Sequence, residues 1–206
     1  MRETNTLTRQ VKGQLIEFPG RPLIMGVVNV TPDSFFDGGR YLDAEAAVDH
    51  ALRLVEEGAD LLDIGAESTR PGADVVNEAE ERRRAIPVVT AVAKAVTVPI
   101  SIDTSKATVA RAALDAGAVL VNDVTALRGD PAMVDTVART GAGIVLMHML
   151  GTPRTMQQAP FYDDVVGEIS DFFEERIRFA MAHGIVRRQI ILDPGIGFGK
   201  LLVHNL

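Results

Sequence analysis

Acceptor-rich side chains stand close behind short apolar runs along this sequence. Six runs end in this way, and the polar residues that follow them are Asn29, Glu67, Asp103, Asn122 with Asp123, His148 and Asp193. The oxygens of Asp103, Asn122 and Asp193 suit a planar heterocycle that presents a row of N–H donors. A single acid here has a plainer interpretation as a helix cap, which fits Asp103 best because Thr104 and Ser105 follow it. Three such residues at one sheet edge favour a binding site.

Two loops are predicted next to these residues. The segment from Asn29 to Gly39 contains a proline, two aspartates and paired glycines, which is turn chemistry and not helix. Its length favours a binding or lid role over a plain connector. The segment from Glu67 to Gly72 offers hydroxyls and the guanidinium of Arg70. That guanidinium could bind an anion or pair with an acid across the site, and the sequence leaves both open.

A third glycine-rich segment runs from Asp193 to Lys200 and superficially resembles a phosphate-binding loop. The match is poor, because that motif needs four residues between its glycines and a Ser or Thr after its lysine, whereas Leu201 follows here. We therefore reject a nucleoside triphosphate site and interpret Lys200 as an exposed loop charge.

The apolar runs predict buried parallel strands, because their apolar residues are consecutive rather than alternate. They are Leu23 to Val28, Leu61 to Ile64, Pro99 to Ile102, Val119 to Val121, Ile144 to Met147 and Ile190 to Leu192. Helical patterns separate them, and Gly58, Gly117, Gly141 and Gly184 are predicted to end those helices. Asp43 is predicted to cap the first helix.

The longest helical pattern extends from Asp163 to His183, with an apolar stripe that includes Val166 and Ala180. Alternating strands and helices of this kind belong to the α/β class, either as a doubly wound sheet or as an eight-stranded barrel. Polar residues after all six strands favour the barrel, since only there do all strand ends meet at one mouth.

Composition narrows the functional classes. The net charge is -7 and the pI is about 5.1, which argues against nucleic acid as a partner. The absence of cysteine excludes thiol catalysis and zinc-thiolate sites, and it suits a cytoplasmic protein. No apolar run approaches the length of a membrane span, so we expect no membrane partner.

Three motifs in order resemble the dihydropteroate synthase family: Met25 to Phe35, Glu67 to Gly72 and Asp193 to Lys200. The likeness extends from about Pro22 to the last residue. It implies an α/β fold of the (β/α)8 TIM-barrel type, and joining of p-aminobenzoate to a hydroxymethyl-dihydropterin with loss of its diphosphate. It also implies Mg²⁺ as cofactor, a homodimer, and sulfonamides as mimics of p-aminobenzoate.

The resemblance also implies residue roles. Asn29, Asp103 and Asp193 are expected to be catalytic, and Asn29 is expected to hold Mg²⁺ and the diphosphate. The implied substrate-binding residues are Thr69, Arg70, Pro71, Asp103, Asn122, Met147, Asp193 and Phe198. Within this set, Asp103, Asn122 and Asp193 resemble the pterin-recognising residues, while Pro71 and Phe198 resemble the wall of the p-aminobenzoate pocket.

The predicted organisation is an N-terminal segment, residues 1–21, followed by a pterin-binding barrel domain, residues 22–206. A short strand over Gln14 to Phe18, turned by Pro19-Gly20, is predicted to close the bottom of the barrel. The family carries cationic side chains on a seventh and an eighth strand, and Leu206 precedes both. We therefore expect a barrel present through strand six, with little synthase activity in this 206-residue chain alone.

Two alternatives to a synthase stay open at the level of sequence. One is a non-catalytic pterin-binding or interaction paralogue. The other is a methyltetrahydrofolate-binding barrel, which shares the pterin-binding acids. The loops from Thr31 to Phe35 and from Ser68 to Pro71 speak against the methyl-transfer alternative.

Overall fold

The computed structural model describes residues 7–18, 21–31, 40–67, 76–152 and 155–206. Its strands are β1 (Leu7–Val11), β2 (Gln14–Phe18), β3 (Met25–Asn29), β4 (Leu61–Gly65), β5 (Ile100–Asp103), β6 (Leu120–Asp123), β7 (Gly143–Met147) and β8 (Ile190–Asp193). Its α-helices are α1 (Arg40–Glu56), α2 (Glu78–Ala95), α3 (Ala107–Ala116), α4 (Ala132–Thr140), α5 (Val165–Ala182) and α6 (Leu202–Asn205). A short 3-10 helix covers Arg187–Gln189.

The main sheet has six parallel strands in the order β3-β4-β5-β6-β7-β8. Each strand pairs with its neighbour in sequence, as in a barrel, whereas a doubly wound sheet reverses direction at a switch point. The predicted α/β barrel winding is confirmed through its sixth strand. Each of the six predicted apolar runs overlaps one of these strands.

The central strands are covered on both faces, as consecutive apolar residues require. Every residue of β4 and of β7 is buried. The outer strands differ, because within the described residues β3 pairs only with β4 and β8 only with β7. Apolar side chains there are exposed, with Val27 at 50% and Leu192 at 41%.

Glycines end several helices as predicted. Gly117, Gly141 and Gly184 have φ values of 125°, 69° and 92°, which a residue without Cβ adopts at little cost. The cap predicted at Asp43 is wrong, since α1 begins at Arg40 and Asp43 lies inside its first turn. An aspartate is favoured throughout a first turn by the helix dipole, so its position alone does not fix the boundary.

Helix α5 departs from its predicted apolar stripe at one end. Ala180 is fully buried, but Val166 is 72% exposed. Part of the buried face is supplied by Arg176, whose guanidinium lies 4.8 Å from the centre of the Phe179 ring. An arginine stem and a cation–π contact cover apolar surface in a way that a count of apolar residues does not anticipate.

A hairpin of β1 and β2 precedes the sheet, with Leu7 opposite Phe18 and Val11 opposite Gln14. Its turn is Lys12-Gly13, both with positive φ, as in a type I′ turn. Pro19-Gly20, predicted as a turn, lies outside the described residues. Strand β1 was not predicted from the sequence.

The hairpin lies against the amino ends of the sheet strands. Ile16 packs with Leu61, Val119 and Leu120, which stand at or next to the starts of β4 and β6. The Lys12 ammonium donates to the carbonyls of Leu114 and Ala118. The hairpin therefore covers the bottom of the sheet and leaves its carboxyl edge to the site.

Among the described residues, no helix is long and apolar enough to cross a membrane.

Candidate active site

The strand register aligns the predicted site residues along the carboxyl edge of the sheet. The partners across neighbouring strands are Asn29 with Gly65, Gly65 with Asp103, Asp103 with Asn122, and Met147 with Asp193. Five of the predicted site residues are thus brought to one edge. Thr69, Arg70 and Pro71 lie outside the described residues, as do residues 32–39 of the first loop.

Asp103 is the central acid of this edge. Gly65 leaves room for it, because a Cβ at Gly65 would lie 3.2 Å from the Cβ of Asp103. Burial raises the pKa of Asp103 well above its ordinary value, and the nearby carboxylates of Asp63 and Glu81 raise it further. Asp103 therefore retains a proton to higher pH than an exposed aspartate, and can donate as well as accept a hydrogen bond.

Asp103 is not needed to cap α3. The backbone N–H of Ala107, the first residue of that helix, donates to Asp130 Oδ2 at 2.8 Å, and the N–H of Lys106 donates to Thr104 Oγ1 at 3.2 Å. The plainer interpretation of Asp103 as a helix cap is therefore not what the structure shows.

Asn122 stands beside Asp103 at the end of β6 and is partly exposed. Its Nδ2 donates to Asp63 Oδ2 at 2.9 Å. Asp63 was not predicted as a site residue from the sequence. A signal was present, because an aspartate inside the otherwise apolar run of β4 is unusual in a strand buried on both faces.

Asp123 organises the loop after β6. One carboxylate oxygen accepts from the backbone N–H and the hydroxyl of Thr125 at 2.9 and 2.6 Å, and the other accepts from the N–H of Leu127 at 2.8 Å. Ala126 and Leu127 have φ values of 53° and 64°. Positive φ is uncommon for such residues and concentrates at functional sites, where surrounding contacts hold it.

An apolar cluster lies next to the acids. Its buried members are Val124, Met147, Met149 and Met156, and Phe198 packs against them. Met147 and Phe198 were predicted as substrate-binding residues, whereas Met149 and Met156 were not singled out from the sequence. Methionine adapts its shape to flat ligands and makes favourable contacts with rings, so methionines close behind a strand end are a usable signal.

The glycine-rich segment after β8 is held by Lys200. This residue is only 4% exposed. Its ammonium donates to His148 Nδ1 at 3.0 Å and to the carbonyls of Gly195 and Phe198, each at 3.1 Å. The interpretation of Lys200 as an exposed charge is wrong, because a turn of successive glycines brings its own carbonyl oxygens around the ammonium.

His148 is neutral in this arrangement. Since the ammonium of Lys200 can only donate, Nδ1 of His148 accepts and the ring proton is on Nε2. Burial, then the charges of Lys200 and Arg128, lower the pKa of His148 to about 4. The imidazole is therefore a structural acceptor at neutral pH, not a cation for an anionic substrate.

Asp193 closes the same turn, accepting from the backbone N–H of Gly195 at 2.8 Å through Oδ1. Gly195 has a φ of 66°, and a Cβ there would lie 2.1 Å from the carbonyl oxygen of His148. Only glycine fits so close to that backbone. The other oxygen of Asp193, at the strand end, accepts no hydrogen bond from the described part of the chain.

Glu67, the first residue of the second predicted loop, bonds to Val76 and to Lys106. Its Oε1 accepts from the N–H of Val76 at 3.0 Å, and its other oxygen accepts from Lys106. Lys106 also donates to the fully buried Glu81 at 2.6 Å. Burial lowers the pKa of Lys106, but the hydrogen bonds that it donates to Glu67 and Glu81 outweigh this effect and leave that pKa raised. A single carboxylate thus joins residues 67 and 76.

The predicted metal ligand Asn29 ends β3 and is exposed. Within the described ranges, no group of three His, Asp or Glu side chains could hold a metal ion. One amide oxygen is a weak ligand by itself, but Mg²⁺ in phosphate-transfer sites commonly uses one or two protein ligands and takes the rest from phosphates and water. Asn29 fits a site in which Mg²⁺ takes one ligand from the protein and the rest from phosphates and water.

Comparison with known proteins identifies the family that this chain matches. Residues 25–206 match the family model described as pterin binding enzyme. The dihydropteroate synthase of Escherichia coli strain K12 is 48% identical over 184 residues, which are 89% of this chain and 65% of the relative. The chain thus spans slightly less than two thirds of that relative's length.

Two solved structures of dihydropteroate synthases are also similar to this chain. A Xanthomonas albilineans dihydropteroate synthase with 4-aminobenzoic acid superposes with a TM-score of 0.89 at 50% identity, covering 98% of this chain and 71% of the other. A Yersinia pestis dihydropteroate synthase in complex with a sulfonamide drug has a TM-score of 0.89 at 46% identity, covering 97% of this chain and 72% of the other.

Proposed function

This chain belongs to the pterin binding enzyme family, and we propose that it carries the pterin site of a dihydropteroate synthase. The proposed reaction joins 6-hydroxymethyl-7,8-dihydropterin diphosphate to p-aminobenzoate. The C–O bond to the diphosphate breaks, the amine nitrogen forms a bond to the same carbon and loses a proton, and pyrophosphate leaves. Similarity to the 4-aminobenzoic acid complex of Xanthomonas albilineans supports this choice of acceptor.

The observation that carries the proposal is the row of acceptors beside an apolar wall. Asp103, Asn122 and Asp193 stand at the carboxyl ends of three strands, and Met147 and Phe198 belong to the adjoining cluster. A flat heterocycle with an N–H edge and an apolar face has the complementary chemistry.

The same acids suit the transition state. As the C–O bond lengthens, positive charge spreads from the carbon into the ring. Carboxyl groups that are partly shielded from water interact more strongly with that charge than they would in bulk water, so contacts from Asp103 and Asp193 strengthen as it develops. No protein nucleophile is required.

The departing diphosphate needs positive charge around it. We propose that Asn29 holds Mg²⁺ together with the phosphates, and that the bound ion neutralises charge on the leaving group. Arg70 is proposed as an anion contact from the second loop. Loops at the mouth would keep out water, whose attack on the carbon would destroy the substrate.

We further propose a homodimer and a cytoplasmic location, both implied by the family resemblance. The absence of cysteine suits a reducing compartment. We also propose that sulfonamides compete with p-aminobenzoate here, by similarity to the Yersinia pestis complex.

The test is formation of dihydropteroate from the pterin diphosphate and labelled p-aminobenzoate with and without Mg²⁺. Two polypeptides are compared: this 206-residue chain, and the same chain joined after Leu206 to the remaining C-terminal residues of the Escherichia coli relative. Mg²⁺-dependent product from either one supports the proposal. No product from either one, while both are folded, refutes it.

A further inference from the structure

One buried acid near the site has no role in the mechanism above. Asp63 lies in the middle of β4, between Leu62 and Ile64, and is 5% exposed. A carboxyl group in a strand covered on both faces is costly to bury. Burial raises the pKa of Asp63, although the nearby hydroxyl of Ser101 and the amide of Asn122 oppose the rise. Such a residue calls for a specific partner.

The partner is Asn122. Asp63 Oδ2 accepts from Asn122 Nδ2 at 2.9 Å. Ser101 is the register partner of Asp63 on β5, but Asp63 Oδ1 and Ser101 Oγ are both buried without a partner in hydrogen-bonding geometry among the described residues. The contact to Asn122 is thus the well-formed bond of this carboxyl group.

Position along the strand gives this bond a direction. Asp63 and Gly65 are two residues apart on β4, so they face the same side of the sheet. Gly65 is level with Asp103 and Asn122 at the carboxyl edge, and Asp63 is one step deeper. Asn122 therefore reaches down to Asp63 with one end of its amide and leaves the other end for the mouth.

We propose that Asp63 is a positioning residue for ring recognition, which fixes the amide of Asn122 with its NH₂ pointing down and its carbonyl oxygen towards the substrate. This inference rests on the proposed pterin site. Asp63 Oδ2 accepts from Asn122 Nδ2, and this contact favours the amide orientation that places the NH₂ group towards Asp63. Without the Asp63 carboxyl group, the amide of Asn122 can turn and present its NH₂ group to the N–H donors of the ring, which is unfavourable.

The variant Asp63→Asn tests this with little change in volume. An amide at position 63 can either accept from Asn122 Nδ2 or donate to Asn122 Oδ1, so it no longer selects one orientation. Ser101→Ala is the matched control, because Ser101 is a fully buried neighbour of Asp63 with no bond to Asn122. Asn122→Ala removes the amide that Asp63 is proposed to position, so it is the background in which Asp63→Asn should have little further effect.

The measurement is the dissociation constant of 6-hydroxymethylpterin by calorimetry for the parent, each single variant and the Asp63→Asn/Asn122→Ala double variant. We expect Asp63→Asn to weaken binding by roughly 5- to 30-fold in the parent, in line with one misplaced hydrogen bond. We expect less than about 2-fold further loss in the Asn122→Ala background, because contacting residues are non-additive. Ser101→Ala should bind like the parent.

The outcomes distinguish a failure of the proposed function from a failure of the positioning role of Asp63. Absence of pterin binding by the folded parent refutes the proposed function, and the inference falls with it. Binding by the parent with equal losses from Asp63→Asn in both backgrounds, or with no loss in the parent background, refutes the positioning role alone. Urea unfolding of every variant identifies a loss that reflects misfolding, and Asp63→Ser, which keeps a hydroxyl acceptor, then replaces Asp63→Asn in the same cycle.

Discussion

Replacement of Lys200 by methionine should loosen the turn that follows β8. The side chain keeps its length and apolar stem but loses three donors, which are now bonded to His148 Nδ1 and to the carbonyls of Gly195 and Phe198. The variant leaves these three acceptors, and the His148 carbonyl oxygen that lies 3.4 Å from the ammonium, without their donor in a largely buried site, and an unpaired buried acceptor is costly.

The magnitude follows from these contacts. Three charge-assisted hydrogen bonds at about 1.5 kcal/mol each give a gross loss near 4 to 5 kcal/mol. Burial lowers the pKa of Lys200, which means that the folded protein already opposes its charge, and methionine relieves that cost. We expect a net loss of about 2 to 4 kcal/mol, similar to the removal of one partner from other buried polar networks.

The assay is urea unfolding of the parent, Lys200→Met and Lys94→Met, the last being an exposed lysine in the final turn of α2. A second readout is the NMR titration of His148. Its pKa is lowered to about 4 partly by the charge of Lys200, so it should rise in Lys200→Met. Equal stability of the two lysine variants together with an unchanged His148 pKa would show that Lys200 does not hold the turn.

Three further predictions concern the mouth and the same turn. Gly195→Ala should destabilise the protein by roughly 2 to 4 kcal/mol in urea unfolding, because positive φ and contact with the His148 carbonyl both exclude a Cβ; stability within 0.5 kcal/mol of the parent would contradict this. Asn29→Ala should reduce Mg²⁺-dependent binding of the pterin diphosphate and leave binding of the pterin alone nearly unchanged; equal losses for both ligands in calorimetry would make Asn29 structural. The pKa of Asp103 is raised above its ordinary value of 3.8, so its contribution to stability is complete below about pH 4 and is lost as pH rises through the folded-state pKa. Asp103→Asn should therefore remove part of the decline in unfolding free energy above pH 4 while weakening pterin binding, and an unchanged pH profile would contradict the raised pKa.

The strands and the edge residues were predictable because their signals are local. Consecutive apolar residues identify strands covered on both faces, and the end of a run such as Ile100 to Asp103 places its polar residue at the carboxyl edge. Gly117 and Gly141 end helices for a reason contained in the residue itself. The motif likeness then supplied the chemistry of the edge.

The features that the sequence did not predict depend on contacts that form only in the folded chain. Lys200 follows a glycine-rich segment and was therefore interpreted as an exposed charge, but the folded backbone places carbonyl oxygens around it. Asp63 interrupts an apolar strand in the sequence, and its bond to Asn122, 59 residues later, is visible only in the fold. The boundary of α1 at Arg40 was missed because Asp43 is as well suited to the first turn as to the cap.

The most direct test of the proposed function is whether a pterin binds at the carboxyl edge of the sheet through Asp193. Calorimetric titration of 6-hydroxymethylpterin would compare the parent with Asp193→Asn and with Asp135→Asn, an exposed aspartate on α4 whose side chain is 61% accessible. We expect binding by the parent and by Asp135→Asn, and a loss of roughly 1 to 3 kcal/mol in Asp193→Asn, because an amide replaces one acceptor with a donor that faces the ring's N–H groups. Absence of binding by the folded parent, or unchanged affinity in a folded Asp193→Asn, would contradict it.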